Sequence, residues 1–139
     1  MNEHNEQDNL RVIHQAYAAF GRGDVPGVLA VLTDDVEWST PGPPDVVPYA
    51  GSRTGQEQVA GYFEAFGGAV EISEFEPERF FAEGDMVVVL GHYAFRVKST
   101  GKTVDTDWVH AFTLRDGKIA RFRGYEDSAA VAAAFESRS

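Results

Sequence analysis

Apolar residues recur at Leu10, Ile13, Tyr17 and Phe20, a spacing that predicts an amphipathic helix with one buried stripe. Gly21 and Gly23 end it. Asp24 then stands where an N-cap belongs, with Pro26 in the first turn of a short second helix that buries Val28, Leu29 and Leu32. Val36, Glu37 and Trp38 predict a short strand closed by Pro41-Gly42-Pro43-Pro44, and positions 45–53 read as an irregular loop. Thr54-Gly55-Gln56-Glu57 matches the capping box, in which hydroxyl and carboxylate satisfy free N–H groups reciprocally. Val59, Tyr62, Phe63 and Phe66 continue a third helix that Gly67-Gly68 is expected to stop. Beyond it the period changes to two. Positions 70–82, 86–98, 102–114 and 118–126 predict four long strands joined by Glu83-Gly84-Asp85, Ser99-Thr100-Gly101 and Asp116-Gly117. Asp127 or Ser128 caps a last helix over 129–135. Helices first and an antiparallel meander afterwards define an α+β domain over 1–139, in which helices cover a curved sheet and enclose an apolar pocket.

Strand alternation also assigns faces. Trp108, His110, Phe112 and Leu114 share one side and Asp107, Val109, Ala111 and Thr113 the other. The bulkier set is placed inward. The outer set is itself partly apolar, so the outer sheet face is expected to pair two copies as a homodimer. If Val87, Val89, Tyr93 and Phe95 point inward, His92 lies on the surface or in an interface. Glu37, Asp107 and Arg123 face away from the interior on the same reasoning.

Composition narrows the chemistry. The 139 residues suit one domain, and 43% hydrophobic content with ten Phe is globular material. There is no Cys, which excludes thiolate chemistry and Cys-ligated zinc. A formal charge of −10 argues against nucleic-acid partners, because phosphates are bound by Lys and Arg. No run approaches the roughly 18 apolar residues of a membrane span, and the polar, acidic start is unlike a signal peptide, so a cytoplasmic protein is expected. Neither a phosphate cradle nor a dinucleotide fingerprint is present.

Four blocks carry a resemblance: Tyr17-Ala-Ala-Phe20-Gly-Arg-Gly-Asp24, Leu32-Thr-Asp-Asp-Val-Glu-Trp38, Gly55-Gln-Glu-Gln-Val-Ala-Gly-Tyr-Phe63, and Arg115-Asp-Gly-Lys-Ile119 with Phe122-Arg-Gly-Tyr-Glu-Asp127. In that order they resemble the SnoaL-like branch of the NTF2-like superfamily, which includes ketosteroid isomerases, polyketide cyclases, limonene-epoxide hydrolases and scytalone dehydratase. The resemblance implies a cone, a bent sheet wrapped around three N-terminal helices with a short C-terminal helix, often dimeric, with a pocket at its open end. It implies no metal and no cofactor, and His-x-x-x-His spacing is absent. The isomerase base falls at Thr40, which cannot serve as a base near neutral pH. The oxyanion tyrosine falls near Tyr17, and the isomerase's protonated aspartate falls at His110. One carboxylate of the epoxide-hydrolase pattern falls at Gly124, and its other members near Gly91-His92-Tyr93, where neither Arg nor carboxylate occurs. A dehydratase pattern would use His92 and His110 with Asp24, but Asp24 reads better as a helix cap.

The expected lining is Tyr17, Trp38, Thr40, Phe63, Trp108, His110 and Phe122. It suits a flat, hydrophobic, oxygenated small molecule of polyketide, steroid or terpenoid type. Two readings follow. One is an isomerase, cyclase or dehydratase with His110 as acid or base and Tyr17 polarising a carbonyl. The other is a ligand-binding or purely structural dimeric module, in which Tyr17 is core and His110 a satisfied buried imidazole.

Overall fold

A computed structural model of the protein describes residues 2–136, with side chains from Glu6 onward. The elements are α1 (Asn2–Gly21), α2 (Val25–Leu29), β1 (Leu32–Thr40), β2 (Gly51–Thr54), α3 (Gln56–Ala69), β3 (Val70–Glu83), β4 (Met86–Val97), β5 (Thr103–Arg115), β6 (Lys118–Glu126) and α4 (Ser128–Phe135). The strands form one open sheet in the order β2-β1-β6-β5-β4-β3. Every pairing is antiparallel except β1 with β6, which run parallel. Register shifts interrupt β3 between Ile72 and Glu74 and between Pro77 and Arg79. Such bulges bend and twist a strand, and here they curl the sheet's edge over the helices.

Local chemistry accounts for most element ends. Asp24 caps α2, its carboxylate accepting the Gly27 N–H at 2.9 Å. Asp127 caps α4 in the same manner, accepting from Ala130 N–H at 3.0 Å.

The capping box at Thr54 does not form. Residues 51–54, expected as loop, add an edge strand to β1, and Thr54 lies opposite Glu37 in that ladder. An extended Thr54 cannot present its hydroxyl to the helix. Its own N–H instead donates to Gln58 Oε1 at 2.8 Å, and the N-cap is Gly55 at φ +88°. Nor do Gly67 and Gly68 stop α3. The helix runs through them to Ala69, and Val70 turns extended because it is buried at the start of β3. Lys98 serves the exposed carbonyls of that last turn, its Nζ donating to Gly67 and its N–H to Ala69, both at 2.9 Å.

The inner face follows the alternation. Val87, Val89, Tyr93 and Phe95 of β4 and Trp108, Phe112 and Leu114 of β5 are all 6% exposed or less and pack beneath α1 and α3. Gly91 interrupts the inner row of β4 for a steric reason. A Cβ there would sit 2.2 Å from the Trp108 ring and 2.7 Å from the Glu76 carbonyl oxygen. Among the described residues no helix is long and apolar enough to cross a membrane.

Candidate functional site

Between α1, α3 and the inner sheet face lies a narrow cavity of about 80 Å³ that opens to solvent. It is a slit lined largely by aromatic rings. Trp38 stacks on Phe122 at 4.1 Å between centroids and meets Phe63 edge-on at 5.6 Å. Flat, apolar guests suit such a space.

One end of the slit carries an imidazole and a phenol. α1 delivers Tyr17 through the predicted stripe, and β5 delivers His110 through its inward alternation. The Tyr17 hydroxyl and His110 Nδ1 are hydrogen-bonded at 2.7 Å. Trp108 lies flat against the imidazole at 3.9 Å and 15°, and Phe122 meets it edge-on at 4.9 Å. His110 keeps some accessible surface, as a cavity-lining residue does. Its surroundings are nonetheless dry enough that burial pushes its pKa down from 6.5 to about 3. Burial pushes the Tyr17 phenol in the opposite direction, upward from 10.0. Both groups are therefore neutral at physiological pH, and they work through hydrogen bonds rather than charge.

The other end is built around Glu126, the last residue of β6. Its Oε1 accepts the Tyr93 hydroxyl, while its Oε2 is buried with no hydrogen-bond partner. Tyr49 and Tyr62 stand close enough to feel its charge, which adds to burial in pushing both phenols up. Burial also raises the Glu126 carboxyl above its usual 4.5, against the opposing pull of the Tyr93 hydrogen bond. The Tyr49 hydroxyl and Trp38 Nε1 are buried without partners as well, and both residues line the slit, as does Thr40 beside the Tyr62 hydroxyl.

Of the seven residues expected in the lining, Tyr17, Trp38, Thr40, Phe63, His110 and Phe122 bound the cavity. Trp108 does not. It lies one layer deeper, 2% exposed, between His110 and Phe75, and acts as a floor under the imidazole rather than a wall. Glu126, Tyr49, Tyr62 and Tyr93 were outside the expected set. Alternation from Phe122 through Gly124 places Glu126 inward and was the available signal. Tyr93 belonged to the same inward row as Val87 and Val89.

His92 is on the outer face. Its Nε2 meets Asp105 at 2.7 Å and its Nδ1 meets Asp107 at 2.8 Å, with a Glu74 oxygen in the same 4.8 Å cluster. The Asp107 hydrogen bond, helped by the charges of Asp105 and Glu74, raises its pKa. It takes no part in the cavity.

The family model for the SnoaL-like domain matches residues 13–122. An NTF2-like protein from Burkholderia xenovorans LB400 is 40% identical over 94% of this chain and 98% of its own, with a TM-score of 0.86. An NTF2-like protein of unknown function from Burkholderia pseudomallei K96243 is 26% identical over 92% and 97%, with a TM-score of 0.85. TerC, co-crystallised with polyporic acid, is 30% identical over 94% and 99%, with a TM-score of 0.78. No curated protein matches the chain. A bent sheet wrapped on three helices around an aromatic slit is the NTF2-like architecture. Within it, the chain belongs to the SnoaL-like family.

Proposed function

We propose that the protein binds a flat, hydrophobic, oxygenated small molecule in this slit and acts on it as an isomerase, cyclase or dehydratase. The observation that carries the reading is the Tyr17–His110 hydrogen bond at 2.7 Å at the cavity wall. Tyr17 occupies Nδ1 and holds the ring in one orientation, so Nε2 is the nitrogen free for the guest. A neutral imidazole with lowered basicity is a poor base but a good donor to an oxygen on which negative charge develops. His110 would thus polarise a carbonyl, its Nε2–H hydrogen-bonding the enolate oxygen while solvent takes the α-proton and returns a proton or deuteron to that carbon. The polyketide, steroid and terpenoid classes offer such carbonyls on flat frames, and the 30%-identical TerC was crystallised with polyporic acid.

The second reading, a binding module without turnover, draws on the absence, among the described residues, of a carboxylate hydrogen-bonded to the imidazole. His110 takes its hydrogen bond from a phenol, which does not supply the charge that would support an imidazolium.

Deuterium exchange separates the two readings. A cyclic ketone such as 2-tetralone, incubated in D₂O with the protein, should exchange the protons next to its carbonyl. His110→Ala should slow that exchange about 10²-fold or more. Equal rates with both proteins, combined with equal binding, would leave only the binding module.

The same proposal includes a homodimer through the outer face, where Leu90 and Tyr125 are exposed beside Val88, Val109 and Ala111. Light scattering at micromolar concentration should give the mass of two 15.2 kDa chains. The mass of one chain would remove the dimer and leave the site untouched.

A further inference from the structure

The slit has polar groups at both ends, and only the imidazole end enters the reading above. Three buried polar atoms without partners belong to residues of its lining: Glu126 Oε2, the Tyr49 hydroxyl and Trp38 Nε1. Buried polar atoms are nearly always satisfied, so three orphans around one cavity call for an explanation. Tyr49 is 1% exposed and Trp38 6%, so bulk solvent does not supply it.

Strand register sets the spacing. His110 pairs with Gly124 across β5 and β6, and Trp108 pairs with Glu126. His110 and Glu126 are therefore diagonal neighbours on one face, about 7 Å apart at their Cβ atoms. Both side chains thus rise from one wall of the cavity, one strand diagonal apart.

The donor and acceptor inventory then limits the second function. With Oε1 taken by Tyr93, Oε2 needs a donor. Tyr49 O–H and Trp38 N–H each need an acceptor. A single group that both donates and accepts is a hydroxyl. A ketone or an ether can only accept.

We propose that Glu126, with Tyr49 and Trp38, forms a second binding pole that recognises a phenolic or enolic hydroxyl on a ligand whose carbonyl meets His110 Nε2. The inference rests on the reading of the His110 end but stands on different residues. It makes the guest doubly oxygenated. It also accounts for a carboxyl kept in an aromatic slit, where replacement by an apolar residue would be cheaper to bury.

Three probes of nearly one shape test it: 2-tetralone, 6-hydroxy-2-tetralone and 6-methoxy-2-tetralone, titrated by calorimetry. The wild-type protein should bind the hydroxy compound at least tenfold tighter than the other two. Glu126→Gln should shrink that preference below about twofold while keeping its affinity for 2-tetralone. His110→Ala should weaken all three and keep the preference. No preference in the wild type, or a preference that survives Glu126→Gln, overturns the second pole and spares the first. If 2-tetralone fails to bind while the hydroxy compound binds in a Glu126-dependent way, the His110 reading falls and this one stands. If nothing binds, both fall.

Folding of the variant is checked by its own signature. A buried carboxyl whose pKa is raised above 4.5 holds its proton longer in the folded than in the unfolded chain, so it costs stability as pH rises past that value. Glu126→Gln should therefore melt higher than wild type at pH 8, with the gain vanishing toward pH 4.5. A lower melting temperature at pH 8 would mean that Glu126 is a structural partner rather than a group held for a guest, and would also overturn the proposal.

Discussion

Truncating Trp108 to alanine should cost about 3–5 kcal/mol of stability, the range for a fully buried aromatic. The indole is 2% exposed and lies against His110 at 3.9 Å and Phe75 at 5.3 Å. Its loss would open a void under the imidazole and leave the ring free to tilt. The companion change is Gly91→Ala. A Cβ at 2.2 Å from that indole cannot be accommodated without moving it, and overpacking of this kind costs about 1–3 kcal/mol or more. The two changes act on one space, so the cycle should be strongly non-additive. In the Trp108→Ala background, Gly91→Ala loses the ring clash and retains only its 2.7 Å approach to the Glu76 carbonyl. Urea denaturation of the four proteins measures this. Additive penalties would mean that Gly91 is not there to admit the indole.

Acid should destabilise the fold through His110. Burial lowers its pKa from 6.5 to about 3, so an unfolded chain takes up a proton near pH 6.5 that the folded chain refuses. The unfolded state binds more protons between those values, and stability falls as pH drops through the window. The His110 contribution is complete above pH 6.5 and should decline below it with a slope approaching about 1.4 kcal/mol per pH unit. Other groups titrate nearby. The paired carboxylates Asp35 and Glu71 have lowered pKa values and lose stability in acid, while Glu126 runs the other way. The readout is therefore the difference between wild type and His110→Gln, a side chain that can keep a hydrogen bond to Tyr17 without titrating. Denaturation at pH 7, 6 and 5 should show wild type losing ground to the variant. Parallel curves would mean that the imidazole charges as easily folded as unfolded.

The fold was legible in the sequence wherever its cause is local. Asp24 and Asp127 cap helices because a carboxylate at that position meets free N–H groups whatever the rest of the chain does. Period two along β4 and β5 reported which side chains face the helices. The same logic failed where a distant partner competes. Thr54 carries a good capping sequence, yet β1 recruits it into a ladder, and nothing local announces the parallel pairing of β1 with β6.

The imidazole end of the slit was legible because Tyr17 and His110 lie on long periodic elements. Alternation gives a side and not a depth, which is why Trp108 was expected in the wall and lies behind it. The carboxyl end was largely hidden. Glu126 sits at a strand's last position, where it reads as a boundary. Tyr49 comes from the aperiodic segment between β1 and β2, where no period announces that it is buried.

The central claim is that a neutral imidazole, tied to Tyr17 through Nδ1, faces a space that takes a guest. Side-chain ¹⁵N NMR of the histidine rings addresses it in one titration. One ring should remain uncharged and in a single tautomer from pH 7.5 down to 5, with its Nε2 resonance moving when 2-tetralone is added. A His110 ring that titrates near 6.5 and ignores the ketone would contradict it.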